Sequence, residues 1–347
     1  MPRPLPPLTK ISRLLVVKTS SIGDVIHALP VVQAIKAAAP DLTLGWVVRR
    51  RCADVLRGNP FIDHLYVMPD RPSLGELRTL RATLRAGRYD IALDMQGLFL
   101  SGLVTWLSGA PVRVGWDRNR EANALFLTHS DVPGKAQRRH EVDLLYGFAE
   151  SLGVHAAHGE FTPQPYLASE GAGRADEWLA GLMRPRIALN VGASRTYKRW
   201  PADRWASVAR ALAALGLEVT FVGDKNDAAL VAQIVPSLAA GYVDLAGRTT
   251  LRELASVLAA CDLLVTADTG PMHIAVAVGT PVVALFGATD PARHGPYGAR
   301  NTALHDPAPG AMVPGHRPTD EAGAACMARI SVDDVLAAVA AKLALCG

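Results

Sequence analysis

Short apolar runs alternate with amphipathic segments along most of the chain. Runs of strand length lie at 14–17, 44–48, 64–67, 91–94, 187–191, 218–222, 243–245, 263–267 and 282–286. After the first run, apolar residues recur every three or four positions, which predicts one buried helix face made of Val25, Leu29, Val32 and Ile35. Further helices are predicted over 74–86, 142–152, 227–234, 251–260 and 270–279, and through Trp205, Val208, Leu212 and Leu215. The alternation predicts an α/β fold with parallel sheets covered by helices on both faces.

Length and one break in the pattern predict two domains. The 347 residues are roughly twice the length of a typical domain. Residues 161–173 are rich in Pro, Gly, Ser and Ala and show no period, which indicates a boundary. We expect one domain over 12–165, a second over 176–325 and a final helix over 331–345, with 301–325 forming loop. Both domains are expected to be doubly wound and to face a central cleft, where ligands bind beyond the carboxyl ends of the strands.

The amino-acid composition excludes several classes of protein. Half of the residues are apolar and 20% are charged, as in a folded globular protein. The four cysteines form no CxxC pair and there is no HExxH segment, so we expect no disulfide framework and no metal site. Residues 1–13 lack the apolar core of a secretory signal, and glycine and proline interrupt the apolar segment 274–288. We therefore expect a cytoplasmic protein that does not cross a membrane.

Positive charge is concentrated in the first half of the chain. Residues 1–165 contain 20 lysines and arginines against 15 acidic residues, whereas residues 166–347 contain 16 against 17. Basic clusters lie at 49–51, 78–88 and 135–140. Any one cluster is more often a set of solvated side chains, but together they suit an anionic substrate or an anionic membrane surface. No aromatic-rich segment accompanies them, so nucleic acid is not an expected partner.

The turn at 18–24 carries the first candidate chemistry. Its sequence, KTSSIGD, contains neither the GxxxxGK[ST] phosphate loop nor the GxGxxG dinucleotide fingerprint, which disfavours an NTPase or dehydrogenase site. Asp24 lies at the start of a predicted helix, at the mouth of the expected cleft. Its carboxylate either complements the helix dipole or acts as a general base, and the spacing leaves both interpretations open.

A second polar segment, 190–201, follows a predicted strand. Backbone amides after Gly192, together with Ser194 and Lys198, could hold a diphosphate, because a lysine supplies charge where a leaving group becomes negative. The alternative is an ordinary solvated loop.

A third segment, 268–275, also follows a strand. Pro271 is favoured in the first turn of a helix, where free amides and the helix dipole attract anions. His273 alone would more often be structural, but with Asp268 and Thr269 in the same turn a ligand role is favoured.

Taken together, these segments resemble a known family. The sequences KTSSIGDVIHALP, GASRTYKRWP and DTGPMHIAVAVGTPVVALFGATDPARHGPYG, at 18–30, 192–201 and 268–298, are similar to the ADP-heptose:lipopolysaccharide heptosyltransferases of glycosyltransferase family 9, most of all to heptosyltransferase I. The resemblance spans about 12–345. It implies a GT-B architecture of two Rossmann-like domains, with the final helix packing back on the first. It also implies an inverting transferase that needs no metal ion or other cofactor.

The resemblance also implies roles for individual residues. The first domain would take an anionic glycolipid acceptor, the Kdo-bearing lipid A inner core, and the second would take the nucleotide sugar ADP-heptose. Asp24 would deprotonate the acceptor hydroxyl, and Lys198 would stabilise the leaving diphosphate. Asp268 would border the donor sugar and Asp227 would meet the nucleoside. The remaining donor-site residues would be Ser194, Thr269, Gly270 and His273, and those of the acceptor site Ser21, Gly23, Arg120 and His140.

One departure keeps alternatives open. This chain has Pro271-Met272 where heptosyltransferase I commonly has Leu-Ser, which leaves the acceptor and the donor sugar undecided. The same fold and base could transfer another sugar or use a non-lipopolysaccharide acceptor. Less favoured are a non-catalytic nucleotide-sugar-binding protein and a sugar-nucleotide epimerase of GT-B form. Contact with the inner membrane is inferred only from the basic charge and the lipid acceptor.

Overall fold

Both halves of the chain form parallel sheets, as the alternating pattern predicts. The structure is a computed structural model that describes residues 5–117, 121–134, 139–238, 241–311 and 318–344. It divides after His158 into unit 1, up to that residue, and unit 2, from Gly159 onward. The strands of unit 1 are β1 (Arg13–Val17), β2 (Thr43–Arg49), β3 (His64–Met68), β4 (Ile91–Asp94), β5 (Val112–Trp116) and β6 (His129–Val132). Those of unit 2 are β7 (Ile187–Asn190), β8 (Val219–Val222), β9 (Tyr242–Asp244), β10 (Leu263–Ala267), β11 (Val282–Phe286) and β12 (Thr302–His305).

The two sheets share one strand order. Within the described residues, unit 1 has a six-stranded sheet in the order β3-β2-β1-β4-β5-β6, and unit 2 one in the order β12-β11-β10-β7-β8-β9. Counted from the first strand of each unit, both are the Rossmann order 3-2-1-4-5-6. The order therefore reverses between β1 and β4 in unit 1, and between β7 and β10 in unit 2. The predicted doubly wound fold is confirmed, and the predicted cleft between the domains stays a prediction.

Helices connect the strands, with short 3-10 turns between some of them. The α-helices of unit 1 are α1 (Ile22–Ala38), α2 (Leu74–Ala86), α3 (Phe99–Leu107) and α4 (Glu141–Ser151). Those of unit 2 are α5 (Tyr166–Ser169), α6 (Ala172–Trp178), α7 (Ala202–Ala214), α8 (Ala228–Ile234), α9 (Leu251–Ala259), α10 (Gly270–Val278), α11 (Pro291–His294), α12 (Asp320–Met327) and α13 (Val332–Ala344). The 3-10 turns are Leu8–Lys10, Arg50–Val55, Asn123–Phe126, Thr196–Lys198 and Val235–Ser237.

The helix that follows β1 is more deeply buried than its pattern predicts. The predicted stripe of α1 is buried, but so are Ile26, Ala28, Pro30 and Val31, which lie between the stripe positions. The reason is that α4 packs against α1 and covers much of the side that the sheet leaves open. The start of α1 is thereby held between the sheet and a second helix.

Some elements escape the sequence pattern. The prediction omits α3, β5 and β6, and it assigns 301–325 to loop, whereas the structure has β12 and α12 there. The strands β5 and β12 carry half-buried positions, so they lack the continuous apolar runs of the central strands. The helix α12 lacks a strong apolar pattern, and it lies close to the chain at Thr196–Lys198, where Gly323 is buried against Tyr197.

The domain limits also differ from those predicted. The division after His158 precedes the predicted boundary at 161–173, because α5 and α6 pack against α9 within unit 2. The final helix, α13, packs its buried face against the core of unit 2. Val335 and Val339 belong to that core, and α7 lies beside the helix. The buried residues of this helix belong to the second unit, and the expectation that it packs back on the first domain stays a prediction.

Close packing at Gly323 gives the first testable prediction. A Cβ atom added there would lie 2.3 Å from Cβ and 2.5 Å from the carbonyl oxygen of Tyr197. Gly323→Ala should therefore lower the free energy of unfolding by about 1–3 kcal/mol, measured by urea titration. The matched control is Gly173→Ala on α6, where an added Cβ meets no atom within 4 Å. Equal stability of the two variants would contradict the packing described here.

Candidate functional site

The sequence motifs lie at the point in each sheet where the strand order reverses. In unit 1, the turn 18–21 follows β1 and the turn 95–98 follows its neighbour β4. In unit 2, the segment 191–198 follows β7 and the segment 268–269 follows its neighbour β10. Open α/β sheets bind ligands in the crevice at such points, so each unit offers one candidate site.

The turn after β1 presents Asp24 in the first turn of α1. Ser21 precedes the helix, and its backbone nitrogen and Oγ donate to Asp24 Oδ2 at 2.8 Å and 2.7 Å. This is a capping box, so the carboxylate helps to start the helix, as one of the two sequence-based interpretations proposed. The same turn contains buried Gly23, so the structure brings Ser21, Gly23 and Asp24 together.

Gln96, in the turn after β4, fixes the backbone of the turn that precedes α1. Its Oε1 accepts hydrogen bonds from the backbone nitrogens of Thr19 at 3.0 Å and Ser20 at 3.1 Å. The buried carboxylate of Asp94 fixes the Gln96 turn, accepting from the backbone nitrogens of Gln96 and Gly97. Burial raises the pKa of Asp94, while these hydrogen bonds act in the opposite direction. Sequence reasoning missed Gln96 because no local pattern shows that β4 lies beside β1.

The start of α4, which contains the predicted acceptor-site residue His140, contacts the segment that carries Asp24. His140 caps α4, where its Nδ1 accepts from the backbone nitrogen of Val142 at 3.2 Å. Its ring meets that of His27, on α1, edge to face at 5.2 Å. Glu141 is buried with Lys18, and their charged atoms lie 3.9 Å apart. The predicted residue Arg120 lies outside the described residues.

In unit 2, Lys198 and Asp268 form an ion pair between the two candidate segments. Lys198 Nζ lies 2.6 Å from Asp268 Oδ2, with the lysine side chain 21% exposed and the aspartate 8% exposed. Thr289 Oγ1 donates to the same aspartate oxygen at 3.0 Å. Buried Trp200 holds the lysine segment in place, because its indole nitrogen donates to the carbonyl oxygen of Ile330 at 3.1 Å. A positive charge is thus held at the carboxyl ends of β7 and β10.

The first turn of α10 begins beside this ion pair. Thr269 precedes the helix, but its side chain does not cap the first turn. Instead, Thr269 Oγ1 accepts from Nδ2 of buried Asn190 at 3.0 Å. Nδ2 of Asn190 also donates to Thr266 Oγ1 at 2.9 Å, so this amide links the ends of β7 and β10. The amides of a first turn without a side-chain cap are suited to an anion.

The other donor-side residues are placed differently from one another. Gly270 is the first residue of α10, His273 is buried further along that helix, and Ser194 is exposed on the loop after β7. Asp227 precedes α8, and its carboxylate lies so close to Gly192 that a Cβ there would be 1.7 Å from Oδ1. Burial, followed by the charge of Asp224, raises the pKa of Asp227, although a hydrogen bond from the Asp224 backbone lowers it. The Asp227 carboxylate therefore lies between the ends of β7 and β8.

Two features of the described residues bear on metal binding and on membrane spanning. Within these residues, no group of three or more His, Cys, Asp and Glu side chains is arranged to hold a metal ion. Among the helices of the same ranges, none combines the length and apolar character needed to span a bilayer. The expectation that no metal is needed stays a prediction.

Comparisons with known proteins agree on one group. The family model described as Glycosyltransferase family 9 (heptosyltransferase) matches residues 77–317. Lipopolysaccharide heptosyltransferase 1 of Salmonella typhimurium is 28% identical over 310 residues, covering 85% of this chain and 94% of that protein. The structure of the glycosyl transferase family 9 from Veillonella parvula is 26% identical with a TM-score of 0.80, covering 96% of this chain and 97% of that one. Escherichia coli heptosyltransferase WaaC with ADP-2-deoxy-2-fluoro heptose is 25% identical with a TM-score of 0.74, covering 95% and 99%.

Proposed function

Because the chain belongs to glycosyltransferase family 9, we propose that it transfers heptose from ADP-heptose to the Kdo-lipid A inner core of lipopolysaccharide. The family resemblance of the motifs is confirmed, as is the GT-B class of its two Rossmann-like sheets. The observation that carries the proposal lies in unit 2. There the Lys198 ammonium and the first turn of α10, which has no side-chain cap, lie together at the point where the strand order reverses.

The donor diphosphate would be bound by this combination of a cation and free amides. Amides of Thr269 and Gly270 would donate to the phosphate oxygens, and Lys198 would face the oxygen that becomes negative as the sugar leaves. Asp268 already forms an ion pair with Lys198, so in the complex the Lys198 ammonium would contact both the Asp268 carboxylate and a phosphate oxygen. Asp268 could also accept a hydrogen bond from the sugar. The ADP-2-deoxy-2-fluoro heptose bound to the E. coli protein, an analogue of ADP-heptose, supports the choice of donor. Roles for Ser194, Asp227 and His273 in this site stay predictions.

The acceptor would bind in unit 1, with its hydroxyl directed at Asp24. The carboxylate takes the hydroxyl proton while the oxygen attacks the anomeric carbon, and the bond to the diphosphate breaks on the opposite side. One displacement of this kind inverts the configuration of the sugar. Proton removal and leaving-group stabilisation are both supplied by side chains, so we propose that the reaction is independent of a metal ion. Ser21, Gly23, Arg120 and His140 are proposed to line the acceptor site.

Gln96 gives a prediction about how accurately Asp24 is placed. Gln96→Ala removes the acceptor for the backbone nitrogens of Thr19 and Ser20, so the turn before α1 should loosen. We expect turnover to fall about 10- to 100-fold, since a small misplacement of a catalytic group is costly, while ADP affinity is unchanged. Gln96→Glu keeps an oxygen at the same position and should retain more activity. Wild-type turnover in Gln96→Ala would contradict this role.

The place of action follows from the acceptor. A lipid-linked acceptor made inside the cell would bring the enzyme to the cytoplasmic face of the inner membrane. The basic excess of the first half of the chain suits both the acidic acceptor and an anionic surface. Peripheral contact with that membrane is part of the proposal.

The main alternative is the same chemistry on a different donor or acceptor. Pro271-Met272, in the first turn of α10, is the feature that favours it, because these residues lie beside the proposed donor site. The experiment is ADP or UDP release from a panel of nucleotide sugars, each with Kdo₂-lipid A, with a heptosylated acceptor and with no acceptor, in buffer containing EDTA. We expect release only from ADP-heptose and only with an acceptor. Release from another nucleotide sugar would overturn the donor, and conversion without an acceptor would indicate an epimerase or hydrolase.

A further inference from the structure

Arg49, the last residue of β2, lies beside the turn that presents Asp24. Its backbone nitrogen donates to the carbonyl oxygen of Thr19 at 3.0 Å, which ties the end of β2 to that turn. The next residues form the 3-10 turn Arg50–Val55, which packs against α1. Burial raises the pKa of the Cys52 thiol in this turn; the charge and hydrogen bond of Arg51 lower it, and the nearby carboxylates of Asp70 and Asp24 raise it further. The segment that begins at Arg49 therefore flanks the proposed base.

The Arg49 side chain is half-buried, and it has no partner among the side chains that the structure describes. Its Nε is buried and has no hydrogen-bond partner, and its guanidinium forms no ion pair with any residue that the structure describes.

The two arginines that follow differ in this respect. Arg51 Nε lies 3.3 Å from Asp70 Oδ1, and both side chains are about half exposed. Hydrogen bonds from Ser73 and, as a smaller effect, the charge of Arg50 hold the pKa of Glu76 below its usual range, so Arg50 lies near an acidic group. Of the three arginines at 49–51, Arg49 is the least exposed to solvent. No acidic side chain that the structure describes lies within ion-pair distance of it.

A partly desolvated guanidinium without a counter-charge is costly to a protein, and a bound anion removes that cost. The planar fork of arginine suits a carboxylate or a phosphate, which it binds through two parallel hydrogen bonds. We propose that Arg49 binds an acidic group of the acceptor, a carboxylate or a phosphate, next to the hydroxyl that Asp24 deprotonates. This inference rests on the proposed function and names one contact in its acceptor site.

The test measures binding of detergent-dispersed Kdo₂-lipid A to the full chain without donor, in three forms: unmodified, with carboxyl groups methylated, and dephosphorylated. Arg49→Met keeps the apolar stem and removes the guanidinium. Arg51→Met is the matched control, because it removes an equal charge two residues away. Losing a charge-assisted hydrogen-bonded contact should weaken binding of the unmodified acceptor about 10- to 100-fold in Arg49→Met. The exposed Arg51 contact should change it by about threefold or less.

The three acceptor forms identify the acidic group. The wild type should lose affinity for the form that lacks the group bound by Arg49, and Arg49→Met should not distinguish that form from the unmodified acceptor. Arg49→Met should also unfold at the wild-type temperature or above, because no partner inside the described protein is lost.

Several results would overturn the inference. One is an equal loss of acceptor affinity in Arg49→Met and Arg51→Met. Another is an Arg49→Met variant whose affinity falls as much as that of the wild type when the acceptor is methylated or dephosphorylated. A third is a wild type that binds all three acceptor forms with the same affinity. Marked destabilisation of Arg49→Met would instead assign the side chain a structural role. Binding that depends on Arg49 without ADP release from ADP-heptose would refute the proposed function and leave the inference standing. If the wild type releases ADP from ADP-heptose but Arg49→Met binds the acceptor as tightly as the wild type, the proposed function stands and the inference is refuted. If the wild type binds none of the three acceptor forms, both are refuted.

Discussion

Asp24→Asn is expected to reduce acceptor-dependent ADP release by about 10²–10⁴-fold, the contribution typical of a general base. Asparagine has nearly the same shape and can still accept the two hydrogen bonds from Ser21, but it cannot take a proton at neutral pH. The helix should therefore remain formed and the variant should bind ADP like the wild type. Turnover and ADP affinity, measured on the same preparation, check both parts of the prediction.

The chain supplies a matched control for the structural role of Asp24. At the start of α13, Ser331 donates from its backbone nitrogen and Oγ to Asp334 Oδ2, at 3.0 Å and 2.6 Å, which repeats the Ser21–Asp24 arrangement. Asp334→Asn changes an equivalent capping box on a helix that carries none of the candidate site residues. We expect it to keep turnover at the wild-type level, with any stability loss similar to that of Asp24→Asn. Unchanged turnover in Asp24→Asn, or equal losses in both variants, would contradict the proposed base.

The second large effect is expected from Lys198→Ala, which should lower turnover about 10²–10³-fold. This is the loss typical of removing one group that stabilises the negative charge formed in the transition state. The substitution also leaves the mostly buried Asp268 carboxylate with Thr289 as its remaining described contact, close to the proposed diphosphate. Donor affinity should therefore fall as well, because that carboxylate repels the phosphates. Donor titration and single-turnover rates separate these two effects.

A double-mutant cycle tests the coupling between the two residues. Lys198→Ala with Asp268→Asn should bind donor better than Lys198→Ala alone, because the uncompensated charge is gone. Arg195→Ala removes an exposed cation from the same loop and should change donor affinity little. If Lys198→Ala behaves like Arg195→Ala, the assignment of Lys198 to the diphosphate is wrong.

The regular elements of the fold could be predicted where the local sequence pattern is clear. The strand β10 and the helix α2 lie where the pattern placed them, because one is a fully buried run and the other has a capped, amphipathic sequence. The final helix predicted over 331–345 is also present, as α13, but an apolar helix face does not show from its sequence which sheet it will cover. The strand β5, with the sequence VRVGW, was missed because Arg113 and Gly115 interrupt its apolar run.

The candidate site could be predicted only in part. A sequence of the form Ser-x-x-Asp occurs at both Ser21 and Ser331, and local chemistry alone gives the two aspartates the same helix-starting role. What distinguishes Asp24 is its position at the reversal of strand order, which depends on pairings distant in sequence. Gln96 was missed for the same reason, and Arg49 was noticed only as part of the basic cluster 49–51, because β4 and β2 become neighbours of the Asp24 turn only in the folded sheet.

The most direct test of heptosyl transfer is the mass of the acceptor itself. Kdo₂-lipid A is incubated with ADP-heptose and the wild type, Asp24→Asn or Asp334→Asn, and the intact glycolipid is weighed by mass spectrometry. We expect the wild type and Asp334→Asn to add one heptosyl residue, and Asp24→Asn to leave the acceptor almost unchanged. An unmodified acceptor, from folded wild-type protein that binds ADP-heptose, would contradict the proposed reaction, and equal product from Asp24→Asn would contradict its base.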